Sequence, residues 1–253
     1  IEAEVDPEKA SGFRGMRRAL EAAVMLAGRY AALADDLARD ASGDDRARLL
    51  RIRDALRKVP EGGASNLYEA IQSFMILWQV MCAEQAPNPF AFSVGNADRI
   101  FEPYRAAEGL TRDEAAAYLA HLLVFFNVGD RSWAISQNLI VGGRDTMGND
   151  LTNETSYALL DAYYMMNLPQ PILSVKLHRG TPEKLYREMG RFFFTPGCLT
   201  PSLFNDDSVF EALRLSGIRE QDLPDYAVAG CQEPLIMGQD NGNTTNSWLN
   251  LGK

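Results

Sequence analysis

Three short stretches, at 136–143, 172–178 and 225–229, are separated by segments in which helical length and helical periodicity recur. Runs of that length cannot be told from buried helix by periodicity alone, but Gly and Pro bound them and Val, Ile and aromatic residues fill them, so they read as strands. Strand and helix in regular alternation, with no repeat shorter than a helix-strand unit, predict a helix-rich α/β fold.

Before the first strand the chain is helical. Leu20, Val24, Leu26, Leu33, Leu37, Leu49, Leu50 and Leu56 fall at helical spacings, with a break at Ala41-Ser42-Gly43-Asp44. Two amphipathic helices in an antiparallel pair are the simplest account. The arginines at 46–57 alternate with Asp44, Asp45 and Asp54, which marks a solvated helix face and not a phosphate patch. From 66 to 84 the chain is apolar almost all round and reads as a buried helix with Cys82 as inert core near its end. A strand-to-helix turn follows, with Ser93 and Asp98 as expected caps. Thr111 and Glu114 form a capping-box pattern, and Thr181-Pro182-Glu183 is expected to cap a later helix.

Composition narrows the function. A net charge of −9 argues against nucleic acid and anionic membrane surfaces as main partners, because both require a basic face. No apolar run approaches the ~18 residues of a membrane span, and no charged-then-apolar leader opens the chain. Cys82, Cys198 and Cys231 lie far apart and only His121 and His178 accompany them, so neither a disulfide framework nor a zinc pattern is present. A reducing, cytoplasmic compartment is expected. His121 reads as a core or surface residue and Cys198 receives no chemistry. His178, at the end of the 172–178 strand, is a candidate substrate contact, as strand ends in enclosed α/β barrels often are.

The chemistry concentrates in Gly230-Cys231-Gln232-Glu233-Pro234. In extended backbone, residues two apart share a face, so the Cys231 thiol and the Glu233 carboxylate are expected to point into one pocket. A neighbouring carboxylate makes a poor thiolate nucleophile. The pair suits separate tasks: a sulfur that exchanges a hydrogen atom and a carboxylate that takes a proton.

This pentapeptide resembles the Gly-Cys-x-Glu-Pro loop of the glycyl radical enzymes, the pyruvate formate-lyase superfamily, and above all its dehydratase-like eliminases. Gln137-Asn138-Leu139-Ile140-Val141-Gly142-Gly143, the 148–153 turn, Gln170-Pro171-Ile172-Leu173-Ser174-Val175, Leu203-Phe204-Asn205-Asp206 and Asn250-Leu251-Gly252-Lys253 follow in the family's order. The resemblance implies part of a β/α barrel of two half-sheets with the cysteine loop inside, residues 1–86 forming a helical outer layer and 87–253 a half-barrel ending in that loop. It implies a thiyl radical on Cys231, Glu233 as general base, and Ser93 as a substrate contact where the family commonly reads Ser-x-Gly-Arg-x-Asp-Gln. Here Asn96 replaces the Arg and Arg99 the Gln. No cofactor is expected in this chain itself. The family's Arg-Val-x-Gly-Tyr/Phe radical motif does not occur here, so the glycyl radical is expected in a missing C-terminal part of a longer polypeptide. An activating enzyme with an iron-sulfur cluster and S-adenosylmethionine would install it. The implied partners are that enzyme, a small-molecule substrate and, for the full-length protein, a second copy in a homodimer.

The implied reaction is radical elimination with C–O, C–N or C–S cleavage, the chain being inactive alone. Arylacetate-type decarboxylation is the alternative, since those enzymes also place a glutamate two residues after the cysteine. A pyruvate formate-lyase-like acyltransferase is disfavoured, because Gly230 stands where a second cysteine would be. A non-catalytic scaffold is the remaining alternative. In diol- and amine-cleaving members a Gly-Trp-His-Asp run follows the loop, whereas this chain reads Gly242-Asn243-Thr244-Thr245-Asn246-Ser247-Trp248, which sets a polyol or choline substrate in doubt.

Overall fold

A computed structural model describes residues 6–85, 91–128, 137–230 and 232–240. The chain forms two compact units, 1–82 and 83–253. In the first, α1 (Pro7–Asp40) and α2 (Gly43–Leu56) are separated at Ala41 and Ser42, as the sequence predicts, and α3 begins at Leu67 and runs to Gln85. Asp6 caps α1 by accepting from the Glu8 amide.

The packed face of α1 is not the leucine face. Ala23, Ala27, Ala31, Ala34 and Ala38 are buried, while Leu20, Leu33 and Leu37 are all more than half exposed. Ala27 and Ala31 meet Leu56 of α2 and Ile76 of α3. The short methyl side chains allow α1 and α2 to approach closely, and Arg53 spans them with a 2.9 Å bond to Asp35. On α3, Leu67, Ile71, Ile76 and Trp78 are buried but Leu77 is exposed, so this helix has a sidedness that the all-round apolar pattern concealed.

The second unit is built on a parallel sheet in the order β1-β2-β3-β4: Ser93–Asn96, Asn138–Gly142, Ile172–Leu177 and Ser202–Asn205. The intervening helices are α4 (Ala97–Glu108), α5 (Arg112–Phe125), α6 (Glu154–Met166), α7 (Glu183–Phe194) and α8 (Asp206–Leu215). Helix α5 starts with both bonds of the Thr111/Glu114 capping box. At α6 Asn153 caps and Ser156 returns the bond. Helix α7 departs from expectation: Pro182 is its N-cap without a side-chain bond, and Thr181 Oγ1 accepts instead from the His178 amide.

After a 3-10 turn at Glu220–Asp225 the chain forms an antiparallel hairpin of β5 (Tyr226–Ala229) and β6 (Glu233–Ile236). Strand β6 was not foreseen. Side chains alternate across the sheet. Leu139, Val141, Leu173 and Val175 point to the helix-covered face and are essentially inaccessible, with α4 and α6 packed against β2. The opposite face carries Asn138, Ile140, Ser174 and Lys176 and receives the hairpin. Ile140 joins Phe210, Tyr226, Ala227, Val228 and Ile236 in one buried cluster there.

Candidate active site

The hairpin lies along the sheet's inner face, running against the four strands. Its base is at their C-terminal ends, where Tyr226 O accepts from Lys176 Nζ at 2.6 Å. Its turn is at the opposite end, where β1 and β2 begin. There the Gly230 amide donates to Ala91 O at 3.0 Å, and Asn138 Nδ2 donates to Gly230 O at 2.7 Å.

A bulge in β1 prepares this face. Ser93 pairs with Asn138 and Asn96 with Ile140, so β1 advances three residues where β2 advances two. The extra residue brings Ser93 and Asn96, an odd number apart, to the same inner side. Gly95 sits in the bulge at φ 82°, a left-handed backbone that favours glycine, and a Cβ on it would press on the thioether end of Met237, in the chain that follows the hairpin. Ser93 Oγ accepts from the Gly95 amide at 3.1 Å, a turn bond and not a helix cap. Asn96 is the α4 N-cap, without a side-chain cap bond.

Three residues, Gly230, Cys231 and Gln232, connect the hairpin strands, and Ala229 pairs with Glu233. Cys231 itself lies outside the described residues, as do the resemblance stretches 242–248 and 250–253. Gly230 has φ 54° and Gln232 φ 110°, so the backbone here is a turn. Spacing of two residues therefore does not set side chains on one face here as it would in extended backbone. Glu233 is exposed at the first position of β6. Ala227, Val228 and Ala229 beneath it are wholly buried.

At the hairpin base lies a buried polar cluster that sequence reasoning missed. Lys176 is 1% exposed, and its ammonium donates to Asn96 Oδ1 at 2.7 Å, Tyr226 O at 2.6 Å and Pro224 O at 3.2 Å, with the Tyr226 ring 3.8 Å away. Burial pulls its pKa down to about 7, opposed by the carboxylates of Asp206, Asp98 and Asp225 and assisted by Arg99. Three oxygen acceptors match the three N–H bonds of the protonated form. Tyr226 OH donates to Asp206 Oδ1 at 2.6 Å, and burial raises both the Asp206 carboxyl and the Tyr226 phenol. The signal for Lys176 was present as one cation in an otherwise apolar strand, but nothing local told its inward direction from a solvated one.

Asp98 is not a helix cap. It is fully buried and accepts from Ser156 Oγ at 2.6 Å, the Gly142 amide at 2.7 Å and the Arg99 amide at 2.8 Å, tying the exit of β2 to the start of α6. Burial raises its carboxyl while these three donors oppose the rise. The Gly142-Gly143 turn is structural, as expected: a Cβ on Gly143 would stand 2.9 Å from both Asp206 Oδ2 and Lys176 Cδ.

Of the predicted site residues, Ser93 is brought level with the hairpin turn through its pairing with Asn138. His178 is not. It lies six residues beyond Ile172, the β3 partner of Asn138, roughly 20 Å along the strand direction. Its Nε2 is 3.0 Å from Asp150 Oδ1, and its Nδ1 accepts from the Gly180 amide at 3.1 Å. Both ring nitrogens thus serve the loops after β2 and β3. Cys82 is partly buried, with burial pushing its thiol up to about 11, in keeping with an inert thiol. Among the described residues no group of His, Cys, Asp and Glu could hold a metal, and no helix is long and apolar enough to cross a membrane.

Comparison with known proteins covers nearly the whole chain. The sequence profile of the pyruvate formate lyase-like family matches residues 2–253. Isethionate sulfite-lyase of Desulfovibrio desulfuricans is 27% identical over 271 aligned residues, which cover 99% of this chain and 32% of that protein. A solved glycyl radical enzyme from Archaeoglobus fulgidus superposes with a TM-score of 0.77 at 29% identity, over 86% of this chain and 30% of that one. A Roseburia inulinivorans structure solved for 1,2-propanediol dehydration gives a TM-score of 0.81 at 29% identity, over 92% and 31%. The chain thus spans about a third of the length of the relatives it matches. These superpositions bear out the expected helix-rich α/β barrel class of the glycyl radical enzymes.

Proposed function

Because the chain belongs to the pyruvate formate lyase-like family, we propose that it supplies the thiol-bearing part of a glycyl radical lyase that eliminates a leaving group by C–O or C–S cleavage. The observation that carries this reading is the hairpin. Its three-residue turn holds Cys231 next to Gly230, whose carbonyl and amide are both anchored to the sheet, above a stem that is wholly buried at Ala227, Val228 and Ala229. A fixed stem with a buried β5 strand fits radical chemistry, which requires the reacting atoms to be held in place and kept from water and oxygen.

The glycyl radical, once installed by an S-adenosylmethionine-dependent iron-sulfur activating enzyme, supplies a carbon centre that accepts one hydrogen atom. Cys231 gives up that atom from its S–H, and its thiyl sulfur takes a hydrogen atom from a hydroxyl-bearing substrate carbon. Glu233 accepts the hydroxyl proton as the leaving group on the neighbouring carbon departs with its bonding electron pair, either as sulfite or as hydroxide that takes the proton held by Glu233 and leaves as water. The S–H re-formed on Cys231 returns its hydrogen atom to the product carbon. Ser93, level with the turn, is a polar contact for the substrate. We assign His178 to the protein's own loops, where both ring nitrogens are engaged. The activating enzyme, a second copy of the full-length polypeptide and a cytoplasmic, anaerobic setting complete the reading.

The test uses the activated enzyme containing this chain. Cys231→Ser is expected to leave the glycyl radical signal in electron paramagnetic resonance intact and lower turnover by at least ~10³-fold. Retained turnover excludes the thiyl reading. Glu233→Gln is expected to slow elimination by about 10²-fold, and an unchanged rate places the base elsewhere.

A further inference from the structure

We propose that Asn138 is a positioning residue for Cys231, acting through the peptide bond that joins Gly230 to Cys231. This rests on the thiyl reading of Cys231 and adds to it a side chain that holds the peptide preceding the thiol.

The carbonyl that Asn138 holds belongs to the same peptide unit as the Cys231 nitrogen, so the bond at 2.7 Å restrains the plane from which the cysteine departs. The Asn138 amide is itself oriented. Ser174 Oγ donates to its Oδ1 at 3.3 Å, which leaves Nδ2 to face Gly230, and the Asn138 backbone amide donates to Phe92 O at 2.9 Å. Asn138 is 1% exposed and Ser174 0%, so water cannot take the place of either partner without opening the sheet.

The Gly230 amide is bonded on its other side to Ala91 O, and Ala91 holds the left-handed φ of 59° needed to present that carbonyl. The turn is therefore gripped from β2 by a side chain and from the approach to β1 by the backbone. The other side-chain bond described at the turn, Gln232 Nε2 to Ser202 Oγ at 3.3 Å, is long and exposed. Among the described residues, Asn138 is thus the buried side chain through which the sheet addresses the turn. Two stable strands could have met it with any apolar residue, as Ile140 does one step further along the same face. An amide in its place sets direction as well as burial. Hydrogen-atom transfer depends steeply on approach, and a 1 Å displacement of a reacting group can cost on the order of 10²-fold in rate.

The deciding experiment follows hydrogen transfer apart from turnover. In heavy water the Cys231 thiol exchanges to S–D. Reversible transfer then replaces the glycyl α-hydrogen with deuterium, and the hydrogen splitting of the radical signal collapses at a measurable rate. Asn138→Leu keeps the shape and removes the donor. Expected are an unchanged radical yield, a KM within about twofold, and a kcat and a collapse rate that both fall by on the order of 10²-fold. Ser174→Ala leaves the Asn138 donor in place but unoriented, and should lower both rates by roughly fivefold. If Asn138→Leu fails to fold, Ser174→Ala decides alone.

Unchanged collapse rates in the folded variants overturn the proposal, and so does a fall in kcat with normal collapse, which would put Asn138 at a later step. Cys231→Ser separates the two readings. If it still turns over, the thiyl reading itself fails; if it is inactive and shows no collapse while the Asn138 and Ser174 variants behave as wild type, only the positioning role fails.

Discussion

The two faces of the central strands β2 and β3 are equally buried, and they differ in chemistry, one apolar throughout and the other polar except at Ile140. Leu139, Val141, Leu173 and Val175 on one side and Asn138, Ser174 and Lys176 on the other are all at most 1% exposed. The apolar face needs only shape and removal from water, which makes it stable against helices without dictating a direction. The polar face must satisfy each donor and acceptor, and it does so through bonds to the hairpin: Asn138 to Gly230, and Lys176 to Tyr226 and Pro224. Burial holds the sheet to its helices, whereas on the hairpin side hydrogen bonds to Gly230, Tyr226 and Pro224 add direction to the apolar contacts of Ile140.

The largest effect should come from introducing methionine on the polar face. Lys176→Met conserves volume but strips Asn96 Oδ1, Tyr226 O and Pro224 O of their donor, and is expected to cost about 4 kcal/mol in chemical denaturation. A cost below about 1 kcal/mol would mean that the hairpin base is held by packing alone.

Next is the pH dependence of that lysine. Its folded pKa is depressed by burial to about 7, below the unfolded value. Below pH 7 both states carry the proton. From pH 7 towards the unfolded lysine range the native state has released it and the unfolded chain has not, so this group makes stability rise with pH, by at most about 1.4 kcal/mol per unit. The rise should appear in the wild type and be absent from Lys176→Met. An equal rise in both would assign it to other groups.

The smallest effect is the matching substitution on the apolar face. Leu173→Met is a volume-conserving change with no polar partner to strand, and should cost less than about 1.5 kcal/mol. If it cost as much as Lys176→Met, the contrast between the faces would have no energetic content.

Much of the scaffold was legible because its signals are local. The break at Ala41 and Ser42, the Thr111/Glu114 box and the strands β2, β3 and β5 each depend on residues within a few positions of one another, whereas β4 and β6 carry no such local signal. The packed face of α1 was not, because alanines can be either filler or contact and only the neighbouring helix decides which. Asp98 looked like a helix cap, one residue past the strand-helix junction. Its actual donors, Gly142 and Ser156, come from β2 and α6. At the site, Gly-Cys-x-Glu-Pro marked the turn, but extended geometry was assumed where Gly230 and Gln232 adopt positive φ. His178 has the chemistry of a ligand, and its place beyond the far end of β3 follows from register alone.

By itself the sequence determined the α/β class, the punctuation of its elements and the placing of a thiol two residues before a carboxylate in a stretch bounded by glycine and proline. Those follow from backbone preference and side-chain chemistry over short distances. Only the tertiary structure decided that Asn138 reaches the peptide before Cys231 across 92 residues of chain, that Lys176 points inward, and that Ser93 and not His178 shares the level of the turn. Strand alternation alone permits either face to be the inner one. The choice is made when the hairpin arrives and every buried polar group must find its partner.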